Sequence, residues 1–525
     1  AAIPDFSRGP IDRWLAPDVD YFVLHGLLLW GGCEALNPPK TFENVLFIIS
    51  DDLATHAVGC YGNEIIRTPN IDALAAEGVR FERAYATSPM CTPSRASLMT
   101  GLYPHAAGVT LLQTPLPDST LTIAEYLKEQ GFATGIFGKH HFNSNRKHGF
   151  DTLVNNAQHN AFLATATQMS VPQGVKVRPE WMPFQDSAKT WLNAEGATSG
   201  NWYDFDQGTF FAKSGVDFMK RHKEERFFAV ISFREPHSPF SFPHDYADAY
   251  DPADMPLAQG SKEDERFLPA VFKNLTDEEK RGIVRSYYSS VEYMDRNVGY
   301  VLDELKKAGL AENTLVVFVG DHGYLLNHHG RFEKHMMWEE AITTPLIVRG
   351  YDAGINVEQP VSLVDLVPTM VESLGLAPMP ERQGLALQPL LQGVKVKLHD
   401  FIFAEYLEDN KAMITDGEYK YIYTSGKKDL GSGYATGNPP TGIDHRLYHL
   451  PSDPGETTNL IMQPEHAPRV DRLMMSMTYI FRKTHPFSNQ VMVTLSLPTQ
   501  LKQFVEPVDG FGKPESAQGK NQNNR

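Results

Sequence analysis

From about residue 41 the chain alternates short apolar runs with amphipathic stretches. NVLFIIS (44–50) is a β-branched and aromatic run and predicts a buried strand. NIDALAAEG (70–78) predicts a helix closed by Gly78, and TLTIAEYLKEQG (120–131) a second, with Thr122 and Glu125 as a capping box and Gly131 at its C-terminal cap. FATGIFG (132–138), RFFAVISF (226–233), TLVVFVG (314–320) and TPLIVRG (344–350) predict further strands. A long helix is predicted over 290–309, ended by Gly309. Helix, glycine and strand in repeated succession predict an α/β fold: a mostly parallel central sheet flanked by helices.

After about residue 398 the texture changes. FIFAEY, KAMITDGEYKYIYTSG and HRLYHL predict short strands joined by turns, with an apolar helical pattern near 466–482. This predicts a smaller α+β domain on an antiparallel sheet, with 424–442 as a long hairpin loop. The expected organisation is an N-terminal extension (1–40), a catalytic domain (41–397), a smaller C-terminal domain (398–505) and a disordered tail (506–525). The apolar segment YFVLHGLLLWGG (21–32) is interrupted by His25 and falls short of the roughly 18 residues a membrane span needs, so it predicts a buried segment.

Composition changes this picture in two respects. A net charge of −16 argues against nucleic acid as a partner, because no broad basic field exists to hold phosphates. Three cysteines (Cys33, Cys60, Cys91) make no disulfide framework.

The chemistry gathers at strand ends. NVLFIIS runs into Asp51-Asp52, FATGIFG into Lys139-His140-His141, RFFAVISF into a turn with His237, and TLVVFVG into Asp321-His322. In open α/β sheets ligands bind beyond the carboxyl ends of the strands, so four separate segments deliver acids, a lysine and histidines to one rim. The three aspartates supply the oxygen donors that suit Ca²⁺ or Mg²⁺. CTPSRASLMTG (91–101) opens a helix with Pro93 in its first turn. Cys91 then stands at a helix N-terminus, which favours an anion, with Arg95 about one turn on. Packing, metal ligation, a thiol nucleophile and the precursor of another group all remain open for this cysteine.

Cys91-Thr92-Pro93-Ser94-Arg95 matches the C-x-P-S-R signature of the type I, formylglycine-dependent sulfatases of the alkaline-phosphatase-like superfamily. NVLFIISDD, TPNIDALAAEGVRF, GKHH, PHSP, GDHG, HHGRFEK and LYHLPSDPGETTNL also have counterparts there, so the resemblance runs from about 44 to 460. The stretch from GDHGYLL to TTPLIVR is most similar to iduronate-2-sulfatase-like glycan sulfatases.

The resemblance implies that Cys91 is oxidised to formylglycine by a maturase acting on the CTPSR segment. It implies Asp51, Asp52, Asp321 and His322 as holders of Ca²⁺ (Mg²⁺ the alternative), with position 91 completing the shell. Arg95 would stabilise the hydrated aldehyde, Lys139 and Lys334 would bind sulfate oxygens, His141 would contact the nucleophilic hydroxyls, and His237 would protonate the departing alcohol. This chain departs from many relatives in having His322 where they have Asn and His140 where they have Trp. His140, Trp202 and Trp338 are candidate substrate contacts; Trp181 and Tyr203 are further aromatics that could stack on sugar rings.

The implied function is sulfate-ester hydrolysis on a carbohydrate, in an extracytoplasmic setting (secreted, periplasmic or lysosomal). The alternatives are a phosphonate or phosphate monoester hydrolase or an N-sulfoglucosamine sulfamidase of the same fold, a thiol enzyme using Cys91 directly, and a non-catalytic glycan-binding protein.

Overall fold

The structure, a computed structural model, describes residues 40–177, 187–258, 260–426, 430–431, 434–435 and 442–508. The segment 21–32, Cys33, Trp181, most of the loop before residue 442 and the tail beyond 508 lie outside the described residues. Nine strands form one sheet: β1 (Asn44–Ser50), β2 (Val79–Tyr85), β3 (Ala133–Gly138), β4 (Thr152–Val154), β5 (Phe227–Ser232), β6 (Thr314–Gly320), β7 (Thr343–Arg349), β8 (Ile355–Val357) and β9 (Val361–Ser362). Their spatial order is β4-β3-β5-β1-β6-β7-β2-β8, with β9 beside β2. β1 pairs in parallel with both β5 and β6, and β3 pairs in parallel with β4 and β5. β7 runs antiparallel to both of its neighbours, β6 and β2, and is the reversed strand of an otherwise parallel sheet.

All seven residues of β1 and all seven of β6 are buried, as expected of strands covered on both faces. One face packs against α2 (Gln207–Arg221) and α3 (Asp277–Lys307); the other packs against α1 (Cys91–Thr100) and the segments around it. α3 has 31 residues and begins at Asp277, well before the predicted 290, behind a capping box of Thr276 and Glu279. The predicted capping box of Thr122 and Glu125 is present, and Gly131 has φ +84°. Gly78 differs from expectation. The helix Pro69–Ala76 ends on Glu77 in a right-handed conformation. Gly78 instead allows a close backbone approach, since a Cβ there would lie 2.6 Å from the carbonyl oxygen of Val348.

The described residues from Thr41 onward belong to one compact unit. Within it β10 (Ile402–Tyr406), β11 (Lys411–Thr415), β12 (Tyr419–Thr424) and β15 (Asp444–His449) form a second, antiparallel sheet in that order. β13 (Leu430–Gly431) and β14 (Tyr434–Ala435) pair with each other inside the long loop. α4 (Ala467–Thr484) covers one face of the small sheet through Leu473, Met477 and Phe481 against Phe403, Ile414 and Tyr421. The two sheets meet where the Glu405 amide donates to the Thr87 carbonyl at 2.8 Å and where buried Lys420 reaches Glu339 at 2.9 Å. Thr87 lies between β2 and α1, so this contact fixes the small sheet beside the start of α1.

Candidate active site

β1, β5, β6 and β3 end side by side, so the residues that follow them share one rim. Asp52 takes φ +64°, which turns the backbone sharply after Asp51 and lets adjacent aspartates face one centre. The turn is held from α3: the Tyr287 hydroxyl donates to the Asp52 carbonyl at 2.5 Å and accepts from the Ala54 amide at 2.9 Å. Gly138 precedes Lys139 with φ +112°, and a Cβ there would overlap the Ser232 carbonyl oxygen, so only glycine brings β3 this close to β5.

Cys91 is the first residue of α1, and all ten residues of that helix are buried. Its Sγ lies 3.3 Å from His322 Nε2, 3.8 Å from Lys334 Nζ and 3.9 Å from Asp52 Oδ1. Ser94 donates its hydroxyl to the Asp321 carbonyl. Arg95 Nε donates to Asp321 Oδ2 at 2.8 Å, and its Nη1 donates to the Lys139 carbonyl at 2.8 Å and to Ser232 Oγ at 2.7 Å. Lys139 is paired with Asp51, and Lys334 reaches both oxygens of Asp52 at 2.6 Å. His237 Nε2 stands 3.9 Å from Asp52 Oδ2, while its Nδ1 donates to the Ser238 carbonyl at 2.5 Å.

Burial would raise the pKa of every acid here. At Asp51 the charges of Lys139 and Arg95 overcome it and hold the carboxyl well below the usual range; at Asp52 burial prevails over Lys334 and the pKa is raised. Burial and then the Lys334 charge push the His237 imidazole well down. His141 falls to about 3, through burial followed by Lys139 and Arg95, and His140 to about 4, through burial and His141. His322 moves the other way, up to about 9, because Asp321 and Cys91 outweigh its burial.

The donor set fits a divalent cation. Asp51, Asp52, Cys91 and His322 each offer an atom, all within 4.8 Å of one another, and all four are buried. Asp51 Oδ1 has no hydrogen-bond partner among the described residues, with Arg95 Nη2 3.7 Å away. Asp321 stands beside this group, its Oδ1 3.7 Å from His322 Nε2. His322 Nδ1 faces the Gly323 carbonyl at 2.9 Å and must donate to it, so a cation bound among the carboxylates would take the place of the Nε2 proton.

A cleft of about 600 Å³ opens above Cys91, with Lys139, His140, His141, His237 and Lys334 on its walls. Two of the expected substrate contacts lie elsewhere. Trp338 is 1% exposed and stacks on His329 at 3.9 Å, because the helical turn after it seats its indole in the core. Trp202 packs edge-on against His244 at 4.6 Å and donates its indole N–H to the Met169 carbonyl at 2.9 Å, on a separate surface hollow. Four residues of the site escape a reading of the sequence: Ser232, Tyr287, Arg234 and Gln207. The serine lies within a predicted strand and the arginine follows that strand, but a tyrosine in mid-helix carries no local signal for its long-range contact. Cys60 and Cys91 are both free thiols.

The fold and the cleft define a class first: an alkaline-phosphatase-like enzyme whose buried cations and acids meet at one helix N-terminus. A sulfatase family model matches residues 43–376, and a model of the C-terminal part of N-sulphoglucosamine sulphohydrolase matches 327–483. The chain belongs to the sulfatase family and is a sulfuric ester hydrolase. It is 30% identical to an ulvan-active sulfatase of Formosa agariphila over 362 residues, 68% of this chain and 65% of that protein. It is 25% identical to an N-acetylglucosamine-6-O-sulfatase of Bacteroides thetaiotaomicron, over 82% of this chain and 85% of that protein. Among solved structures, a phosphonate monoester hydrolase of Agrobacterium radiobacter shares the fold, with a TM-score of 0.70 at 23% identity, over 86% of this chain and 97% of that one.

Proposed function

We propose that this chain removes sulfate from a sulfated carbohydrate, with position 91 as nucleophile after conversion of Cys91 to formylglycine. The observation that carries the reading is the placement of Cys91 Sγ within 4 Å of Asp52, His322 and Lys334 at the floor of the cleft. The glycan-directed names among its relatives support a carbohydrate substrate.

Asp51, Asp52, Asp321 and His322 would hold the cation, for which oxygen-rich ligation favours Ca²⁺, with Mg²⁺ the alternative. When bound, the cation supplies positive charge against the sulfate oxygens and offsets the crowded carboxylates. Lys139 and Lys334 bind sulfate oxygens and oppose the charge that builds in the transition state. Once converted, position 91 presents a hydrated aldehyde, one hydroxyl of which attacks sulfur while the other later collapses to the aldehyde and releases sulfate. Arg95 and His141 orient that hydroxyl pair. His237 donates a proton from Nε2 to the departing sugar oxygen, and its Nδ1 bond to Ser238 fixes the ring for this. A bound sulfate ester brings negative charge that favours the protonated imidazole. His140 lines the cleft and contacts substrate beyond the sulfate.

Cys91 through Arg95 are buried in the folded chain, so the formylglycine-generating maturase would act before folding is complete. Residues 41–397 serve as the catalytic domain and 398–505 as the smaller one, a division supported by the second sheet beginning at Ile402. No described helix is long and apolar enough to cross a membrane. Sulfated glycans lie outside the cytoplasm, which supports an extracytoplasmic site of action.

The test is sulfate release by preparations whose residue-91 peptide is weighed by mass spectrometry. The assay panel holds O-sulfated oligosaccharides, an N-sulfated glucosamine and an aryl phosphonate. Release from O-sulfated sugars that tracks conversion and disappears in Cys91→Ala is expected. A higher kcat/KM on the phosphonate or the N-sulfate, or activity retained in Cys91→Ala, overturns the reading.

A further inference from the structure

A second cavity of about 280 Å³ adjoins the catalytic cleft, and Gln207, Arg234 and His237 line both. His237 is the residue assigned to protonate the departing oxygen, so this side pocket begins where the leaving group is released. It is also lined by Asn160, Asn201, Asp206 and Glu235. The volume is close to the lower end of the roughly 300–1,000 Å³ typical of small-molecule sites, which suits a single ring.

The two acids differ in what they are bonded to. Asp206 caps α2: one oxygen accepts from the Gln207 amide at 2.8 Å and the other from the Ser199 hydroxyl. Glu235 is 5% exposed, and its Oε2 has no hydrogen-bond partner among the described residues. That oxygen lies against the first turn of α2, where a Cβ on Gly208 would be 3.2 Å from it. A buried carboxyl oxygen without a partner is costly to the fold, and a ligand that brings hydroxyl donors would satisfy it. Asp206 and Glu235 set two carboxyl groups against the single guanidinium of Arg234 in this pocket, so a carboxylate or sulfate there would meet more acid than base. The amides of Asn160 and Gln207 offer both donors and acceptors, as vicinal hydroxyls require.

We propose that this side pocket is the subsite for an uncharged pyranose of the leaving group, read through its hydroxyls by Glu235 and Asn160. The inference rests on the sulfate-ester reading above and narrows its substrate class to glycans whose ring beside His237 carries no acidic group.

The test compares wild type, Glu235→Met and Asn160→Ala on three probes: 4-nitrophenyl sulfate, a monosulfated galactose disaccharide, and its counterpart with glucuronate as the sulfated ring. Asn160 is exposed, so its replacement leaves the fold intact. Wild type is expected to prefer the neutral disaccharide at least tenfold. Both variants are expected to lose at least tenfold more kcat/KM on it than on nitrophenyl sulfate, mainly through KM. Equal losses on the two probes, or preference for the glucuronate disaccharide, overturn the subsite. If wild type hydrolyses none of the three, the sulfate-ester reading is what fails. The subsite is then judged by calorimetric titration with the desulfated galactose disaccharide: binding weakened in both variants supports it, and no binding to wild type overturns it.

Discussion

Lys334 Nζ sits 2.6 Å from both carboxylate oxygens of Asp52, inside a site where Asp52 has no exposed surface. The pair joins β1 to the loop after β6, and the same ammonium is 3.8 Å from Cys91 Sγ. Removing one partner of a buried ion pair typically costs about 3–5 kcal/mol, because the other charge stays buried without compensation. Lys334→Ala is therefore expected to lower the thermal midpoint and to reduce kcat/KM on sulfate esters by roughly 10²–10³-fold, as loss of a charge-stabilising donor does. Added Ca²⁺ should recover stability, since a cation beside Asp52 replaces the lost charge, without recovering the rate. A variant with wild-type kcat/KM would remove Lys334 from sulfate binding.

Cation removal has its own signature. Asp51 Oδ1 is buried and, among the described residues, without a hydrogen-bond donor, so the carboxylate has a lone pair free for a metal. A chelator is expected to abolish turnover and to lower the unfolding temperature of wild type, with Ca²⁺ restoring both better than Zn²⁺, because oxygen donors outnumber nitrogen and sulfur. In Asp51→Asn the chelator-induced shift should shrink, since the amide keeps the shape and loses the charge. An unchanged shift in that variant would place the cation elsewhere.

How far the sequence leads depends on what each residue's neighbours can reveal. β1 and β6 are readable to the residue, because strands buried on both faces appear as unbroken apolar runs. β2, VRFERAY, is hidden: Arg80 and Glu82 interrupt it, although they pair with each other beside Tyr61 at the sheet surface. The first turns of α3 are hidden under a run of charge, although Thr276 and Glu279 announce the cap. Asp51, Lys139, His237 and Asp321 are legible as strand-end residues, since strand order alone brings them to one rim. Trp202 and Trp338 show the limit. An aromatic side chain fits a sugar face and a core equally well, and only the packing around His329 and His244 separates the two.

The loop that carries Lys334 is braced by a second ionic group away from the cleft, and this gives a pH dependence. His329 stacks on Trp338 at 3.9 Å, its Nδ1 is 2.9 Å from Asp264 Oδ1, and its Nε2 is 3.5 Å from Glu340 Oε2. Burial opposes its charge, but the hydrogen bonds to Asp264 and Glu340 prevail and raise its pKa from 6.5 to about 9. Because the folded value is the higher one, the stabilisation is fully present below about pH 6.5, the unfolded value. It declines as the pH rises and is gone above about pH 9, the folded value. A shift of this size corresponds to something on the order of 3 kcal/mol. Unfolding temperature measured from about pH 6 to about pH 9.5 is expected to fall through that window in wild type, and the slope should flatten in His329→Gln, which keeps a polar group but cannot titrate. An identical slope in the two proteins would show that the clamp on the Lys334 loop does not depend on the charge of His329.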